Sequence, residues 1–218
     1  MNKIQLKILR QDLLLTLDKY PGLKVLEKHE IPIALNGNLA IIDNEGNLQR
    51  EFKINVQIPN NYPENIPVLF VHEGLVNKDT KHHFNNDGSA CLGTDAELLL
   101  KNPKGFSIFD FIDNYTYNYL CAQLYYEGKK VWPGGEWDHG TNGTKAFYFT
   151  KLKTDDIKFV ILCLKMIIKH HLPRRNKPCF CNSTLKSKNC HLPILEELSK
   201  LKSEFLENEI KLLSDELM

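Results

Sequence analysis

The sequence predicts an α+β protein: one helix, a four-stranded antiparallel sheet, further helices, and a small cysteine-rich appendage. Three observations predict it. Leucines recur at helical spacing near the start, apolar and polar residues alternate in the next stretch, and helical periodicity returns after Ser107. The 218 residues are 42% hydrophobic, which suits one ordinary domain plus an appendage and argues against wholesale disorder.

Leu6, Leu9, Leu13 and Leu17 place a helix over residues 5–19, and Pro21-Gly22 stops it. Strands follow. Ile31, Ile33 and Leu35 alternate, and Leu39 to Ile42 come after Gly37. Phe52, Ile54, Val56 and Ile58 alternate with Lys53, Asn55 and Gln57, the period of a half-buried strand. Val68 to Val71 form a short apolar run after Pro67, expected to be a central strand. Turns at Asn36-Gly37 and Asn44-Glu45-Gly46 are expected to join these strands as a meander.

From Asn77 to Lys104 no periodicity survives, and loops of that length are usually functional or mobile. Ser107 then caps a helix, with Asp110 three residues on and Ile108, Ile112, Tyr115 and Tyr119 in one stripe. The stretch "KKVWPGGEWDHGTNG" is too rich in glycine to be regular. Another helix starts near Thr154, with Asp155 and Asp156 at its positive end, and is apolar almost all round, hence buried. "HHLPRRNKP", 170–178, reads as a linker, which sets two domains at 1–169 and 170–218. A last helix is expected from about Pro193 to Leu217, with Leu198, Leu201, Phe205, Leu213 and Leu217 on its inner face.

The formal charge of +1 does not imply a strongly electrostatic nucleic-acid partner, and none is expected. No apolar run is long enough to span a membrane. Arg10 and Asp12 come too early for a secretory apolar region, so the expected location is the cytoplasm. In that reducing compartment six cysteines point to metal or catalysis before disulfides.

"CFCNSTLKSKNCH" puts Cys179, Cys181, Cys190 and His191 within thirteen residues. Four such ligands fit one tetrahedral zinc with no open position, a structural rather than a catalytic site. A segment this short has no core of its own, so the metal would supply its folding energy. His170 or His171 is the alternative to His191. The spacing resembles the SEC-C motif, a small zinc knuckle at the end of the secretion ATPase and of many unrelated bacterial proteins. That resemblance covers residues 178–192 and implies zinc and a docking surface, not a reaction. The family's glycines after the second cysteine are replaced by Asn182 and Thr184, and asparagine tolerates the left-handed conformation that the turn needs. Lys169, Arg174, Arg175, Lys177, Lys186 and Lys188 surround the motif, either as a solvated linker or as a surface for an anionic partner.

"HHFNNDGSACLG", 82–93, holds the other cysteine of interest. Cys91 sits in an irregular loop between Gly88 and Gly93, where a nucleophile can be reached. Cys121 and Cys163 lie in apolar helices and read as fillers. Helix, four-stranded meander, long loop with cysteine, then helices is a layout that resembles the ubiquitin-conjugating enzymes. "IPNNYPENIPVLF" is similar to that family's Tyr-Pro…Pro-Pro segment at Tyr62, Pro63 and Pro67, and "NNDGSACL" to its active-site run at Asn85, Gly88, Cys91 and Leu92. The family's His-Pro-Asn triplet falls on Lys81, His82 and His83, so His83 stands where its oxyanion asparagine would be. Bacterial relatives also carry a histidine there.

"WPGGEWDHG" resembles a Glu-x-x-His-Gly signature of stand-alone bacterial conjugating enzymes, encoded in anti-phage islands beside a cyclic-oligonucleotide synthase. Alternatively, Trp132 and Trp137 cover a core edge and His139 holds a loop. The resemblance implies that Cys91 carries a protein's C-terminal carboxyl as a thioester and passes it to an amine. The donor would be a ubiquitin-like protein or the synthase itself. His83, Asn85 or a backbone amide would stabilise the oxyanion, and His139, oriented by Glu136, would take the amine's proton. No phosphate-binding loop is present, so the carboxyl must be activated elsewhere, for instance on an activating enzyme. Two rival functions share these residues: a non-catalytic binding adaptor of the same fold, and a hydrolase with Cys91 and His139 as a dyad.

Overall fold

The computed structural model describes residues 1–74, 82–133 and 140–217. They pack as two compact units, Met1–Leu92 with Lys104–Trp137, and Gly93–Pro103 with Asp138–Met218. This grouping differs from a division at 169/170. The expected buried helix, α6 (Ile157–Ile168), shares its core with Leu195, Leu198, Leu206 and Leu213 from beyond the supposed linker.

In the first unit, α1 (Lys3–Lys19) starts at Asn2, whose side chain accepts from the Gln5 amide while Gln5 reaches back to the Asn2 amide. The sheet is antiparallel in the order β1 (Leu23–Lys28), β2 (Ile31–Ile42), β3 (Leu48–Gln57) and β4 (Val68–Glu73). Phe52, Ile54 and Val56 point inward with no exposure, as their alternation requires.

Three strand expectations are corrected. β1 was not expected, and its turn to β2 runs through His29 and Glu30, both left-handed at φ 51° and 61°. Neither residue carries the Asn-Gly signature of such a turn. Asn36-Gly37 is no turn but the middle of one long strand. Gly37, at φ 146°, lets β2 approach Gly22 so closely that a Cβ would lie 2.2 Å from the Gly22 carbonyl oxygen. β4 lies at the sheet's edge rather than its centre, and the Cys91 loop meets it, with the Ala90 amide donating to the Leu69 carbonyl at 2.8 Å. The other expected turn forms as read, where Asp43 Oδ1 accepts from the amides of Glu45 and Asn47 at 2.9 Å.

Beyond the loop, α3 (Ile108–Asp110), a π-helical turn (Phe111–Thr116) and α4 (Tyr117–Lys129) run on as one helical rod capped by Ser107. Its start is fixed by Asp12 of α1. This buried carboxylate accepts from the Tyr62 hydroxyl (2.6 Å), the Ser107 hydroxyl (2.8 Å), the Phe109 amide (3.3 Å) and the Ile108 amide. Its negative charge sits at the positive end of the rod. Burial first, and the hydrogen bond to Asp12 second, push the Tyr62 phenol above its ordinary value, so Tyr62 stays a donor. Further along, the Tyr117 hydroxyl bridges the Ile42 amide and carbonyl at 3.0 and 3.1 Å, pinning α4 to β2.

The second unit gathers α2 (Asp95–Lys101), α5 (Gly140–Leu152), α6, α7 (Leu192–Leu198) and α8 (Ser203–Asp215). α2 arises inside the stretch expected to be irregular, too short at seven residues to display a period, and is capped by Thr94. α5 was hidden by Gly140 and Gly143, which each cost a helix about 1 kcal/mol; burial of Phe147, Tyr148 and Leu152 offsets this. The expected last helix is two helices. Leu198, Leu201 and Leu206 all stay buried across the break, so the apolar pattern gives no sign of it.

Asp12→Ala strands several buried donors and is expected to cost about 3 kcal/mol in urea unfolding. Asp12→Asn, which keeps one carbonyl acceptor, should cost less. A loss below about 1 kcal/mol for the alanine variant would contradict the role given to this carboxylate.

Candidate functional site

Residues 83–91 fold into a tight hairpin. Phe84 and Ala90 bridge, the Asn85 amide donates to the Ser89 carbonyl at 2.8 Å, and the Gly88 amide returns to the Asn85 carbonyl at 2.9 Å. Gly88 closes the turn at φ 82° with open space where a side chain would be. Asp87 Oδ1 accepts from the Ser89 hydroxyl (2.6 Å) and amide (3.0 Å), and those bonds hold the Asp87 carboxyl below its usual range. Asn85 Nδ2 donates to Ser89 Oγ at 3.0 Å, which commits one of its two hydrogens to the turn.

Cys91 closes the hairpin, its amide donating 2.8 Å to the His83 carbonyl. It is part of no disulfide and is partly exposed. His83 is left-handed at φ 54°, and its ring stands edge-on to Trp132, with centroids 4.2 Å apart. Trp132 in turn stacks on Tyr126 at 4.5 Å, and Tyr126 meets the His82 ring at 5.2 Å. These four rings fix the residues just before the hairpin.

Two residues of α4 complete the support, and sequence reasoning missed both. The Tyr119 hydroxyl lies 3.2 Å from the His83 carbonyl and 3.3 Å from that of His82, and Gln123 Nε2 donates to the His82 carbonyl at 2.5 Å. Burial pushes the Tyr119 phenol up, Gln123 opposes the shift, and the nearby Cys91 sulfur adds to it as negative charge. Tyr119 had been taken only as part of an apolar stripe. The available signal was Gln123, a wholly buried amide one turn further along that stripe. Glu136 and His139 lie outside the described residues, as does Trp137. Cys163 is fully buried, and burial pushes its thiol up to about 12, as suits a filler; Cys121 is partly exposed.

The second unit holds the other constellation. Cys179, Cys181, Cys190 and His191 bring their donor atoms within 4.8 Å of one another and can hold a metal ion. The Cys181 and Cys190 sulfurs are 3.6 Å apart, and His191 Nδ1 lies 3.2 Å from Cys190 Sγ and 3.4 Å from Cys179 Sγ. A tetrahedral zinc would space its sulfurs about 3.8 Å apart and sulfur from nitrogen about 3.5 Å, so the edges match. A disulfide, at about 2 Å between sulfurs, does not fit.

His191 Nε2 donates to the Leu152 carbonyl at 3.0 Å, which leaves Nδ1 as the ligand. Its ring packs against Phe159 and Phe180, which stack on each other at 5.4 Å. Asn182 takes φ 60°, the left-handed turn expected of it in place of glycine. Burial raises the Cys181 thiol, but hydrogen bonds from Ser183, Cys179 and Cys190 outweigh this and bring it down to about 6. A sulfur that ionises near neutrality is a ready ligand.

Comparisons with protein-family models, curated proteins and solved structures find no match to the chain.

Purified protein is expected to carry one tightly held metal ion per chain by elemental analysis. Cys181→Ser or Cys190→Ser should lose it, and acidification below about pH 5 should release it as the thiolates protonate. Full metal content in both variants would refute the site.

Proposed function

We propose that the chain is a cysteine-dependent conjugating enzyme with a ubiquitin-conjugating-like fold. Cys91 receives the C-terminal acyl group of a donor protein as a thioester and passes it to an amine, and the metal in the cysteine cluster is a structural zinc. The observation that carries this reading is the setting of Cys91. The residue is partly exposed at the end of a hydrogen-bonded hairpin; its amide is held by the His83 carbonyl, and the His82 and His83 carbonyls are in turn held by Tyr119 and Gln123. A filler cysteine needs no such fixture, and Cys163 has none. The order of helix, four-stranded meander, cysteine loop and helical rod supports the same reading.

In this mechanism the Cys91 thiolate attacks the donor's activated carbonyl, expels its leaving group and forms the thioester. An amine then attacks that carbonyl, the thiolate leaves, and the amine's proton passes to a base. Asn85 gives one of its two amide hydrogens to the turn, so His83 and Asn85 both stand as candidates for the oxyanion. Glu136 and His139 remain the proposed orienting group and base. The donor is a ubiquitin-like protein or a cyclic-oligonucleotide synthase, activated by another enzyme, in an anti-phage setting.

Incubated with a donor bearing a C-terminal thioester, wild type should form a reducible adduct, and Cys91→Ser a reduction-resistant oxyester on a denaturing gel. Tyr119→Phe should slow adduct formation about tenfold at unchanged fold, since it frees the hairpin without touching the sulfur. A reducible adduct of wild-type mass on Cys91→Ala would sink the assignment.

A further inference from the structure

We infer that the exposed basic face of the cysteine cluster binds the phosphodiester backbone of a nucleic acid. The chain's near-neutral charge conceals a strong segregation. Residues 157–195 hold eight of its 28 lysines and arginines and none of its 27 aspartates and glutamates. Three metal-bound thiolates around a divalent zinc would remove only one unit of that charge.

The run expected to be a linker is part of this scaffold. The Lys177 amide donates to the Arg174 carbonyl (3.1 Å), the Lys188 amide to the Arg175 carbonyl (3.1 Å), and the Ser187 amide to the Lys177 carbonyl (2.9 Å). Pro178 bridges Lys186. Two cationic runs, 174–177 and 186–188, therefore lie side by side on a fixed backbone. Between the lysines of the second run, Ser187 is fully buried and its hydroxyl donates to the Lys177 carbonyl at 3.2 Å. Arg174, Arg175, Lys177, Lys186 and Lys188 are all exposed. Only Arg175 has an acidic neighbour, Glu196 at 3.5 Å; among the described residues the other four form no ion pair.

The surroundings favour phosphodiesters over a lipid surface or an acidic protein. The exposed neutral neighbours are donors, Asn176, Asn182, Thr184 and Asn189, which suit the acceptor oxygens of phosphates. Apolar anchorage is scarce: Phe180 is held against Phe159 and His191, and Leu185 is the exposed large hydrophobic among residues 170–191. With the backbone beneath the cations already fixed by pairing, binding has only their side chains to order.

The test is fluorescence anisotropy of a labelled 20-nucleotide RNA strand and a labelled DNA duplex, titrated with the full chain at 50–200 mM NaCl. Micromolar, sequence-independent binding is expected at low salt, with log Kd rising against log salt at a slope of about 3.5 for the strand or 4.5 for the duplex, for five contacts. Lys186→Glu/Lys188→Glu should weaken it at least tenfold with metal content unchanged, and Arg174→Glu/Lys177→Glu on the facing run should do the same. Lys3→Glu/Lys7→Glu, an equal charge change on α1, should stay within twofold. Binding that is absent or salt-insensitive in wild type overturns the inference. So does equal loss in the α1 variant, or tighter binding of phosphatidylserine vesicles or polyglutamate than of either nucleic acid.

Discussion

One buried carboxylate sets the frame on which the first unit depends. Asp12 receives four hydrogen bonds from two separate parts of the chain: the Tyr62 turn after β3, and the run of Ser107, Ile108 and Phe109 that opens the helical rod. A carboxylate taken out of water is costly unless protein donors replace the water it loses. Once the rod is anchored, its pitch places Tyr119 and Gln123, one helical turn apart, under the carbonyls of His82 and His83. Those carbonyls orient the strand that takes the Cys91 amide. The position of Cys91 is thus the end of a hydrogen-bond chain that begins in α1.

The six cysteines of this chain illustrate how environment rather than residue type assigns a thiol its work. Cys163 sits among leucines and isoleucines, where a thiolate would be costly, and fills space. Cys179, Cys181 and Cys190 converge with His191, their donor atoms within 4.8 Å of one another, a grouping that can hold a metal ion once the thiols lose their protons. Cys91 belongs to neither class. It is partly exposed on a hairpin braced by hydrogen bonds at Asn85, Asp87, Gly88 and Ser89, and preorganised backbone of that kind is what the proposed nucleophile needs to meet a carbonyl repeatedly in one geometry.

Much of this was legible in the sequence where a local rule decides. The alternation at 52–58 placed β3, Ser107 marked its cap, and the Cys-x-Cys…Cys-His spacing identified four ligands that the fold brings together. What stayed hidden was set by tertiary contact. Gly37 looks like a turn residue until Gly22 is seen against it. The α5 glycines look like breakers until Phe147 and Tyr148 are seen buried. Tyr119 and Gln123 look like helix filler because their partners are backbone carbonyls some forty residues away, invisible to any spacing rule. The linker at 170–178 looks unstructured in the sequence because its order comes from pairing with Lys186, Ser187 and Lys188, inside the cluster that follows it.

The chain thus joins a fixed, reachable thiol in one unit to a cage of four ligands in the other, and each accounts for a run of residues that packing alone does not. The most direct measurement of the central proposal is the fate of an acyl group over a single turnover. Protein loaded with a labelled donor thioester at Cys91 would be mixed with an excess of free lysine, and the products resolved by mass spectrometry. Conjugating chemistry predicts the donor–lysine amide, formed at a rate that rises with lysine concentration. Release of the free donor acid alone, at a rate indifferent to lysine, or no loading at all, would contradict it.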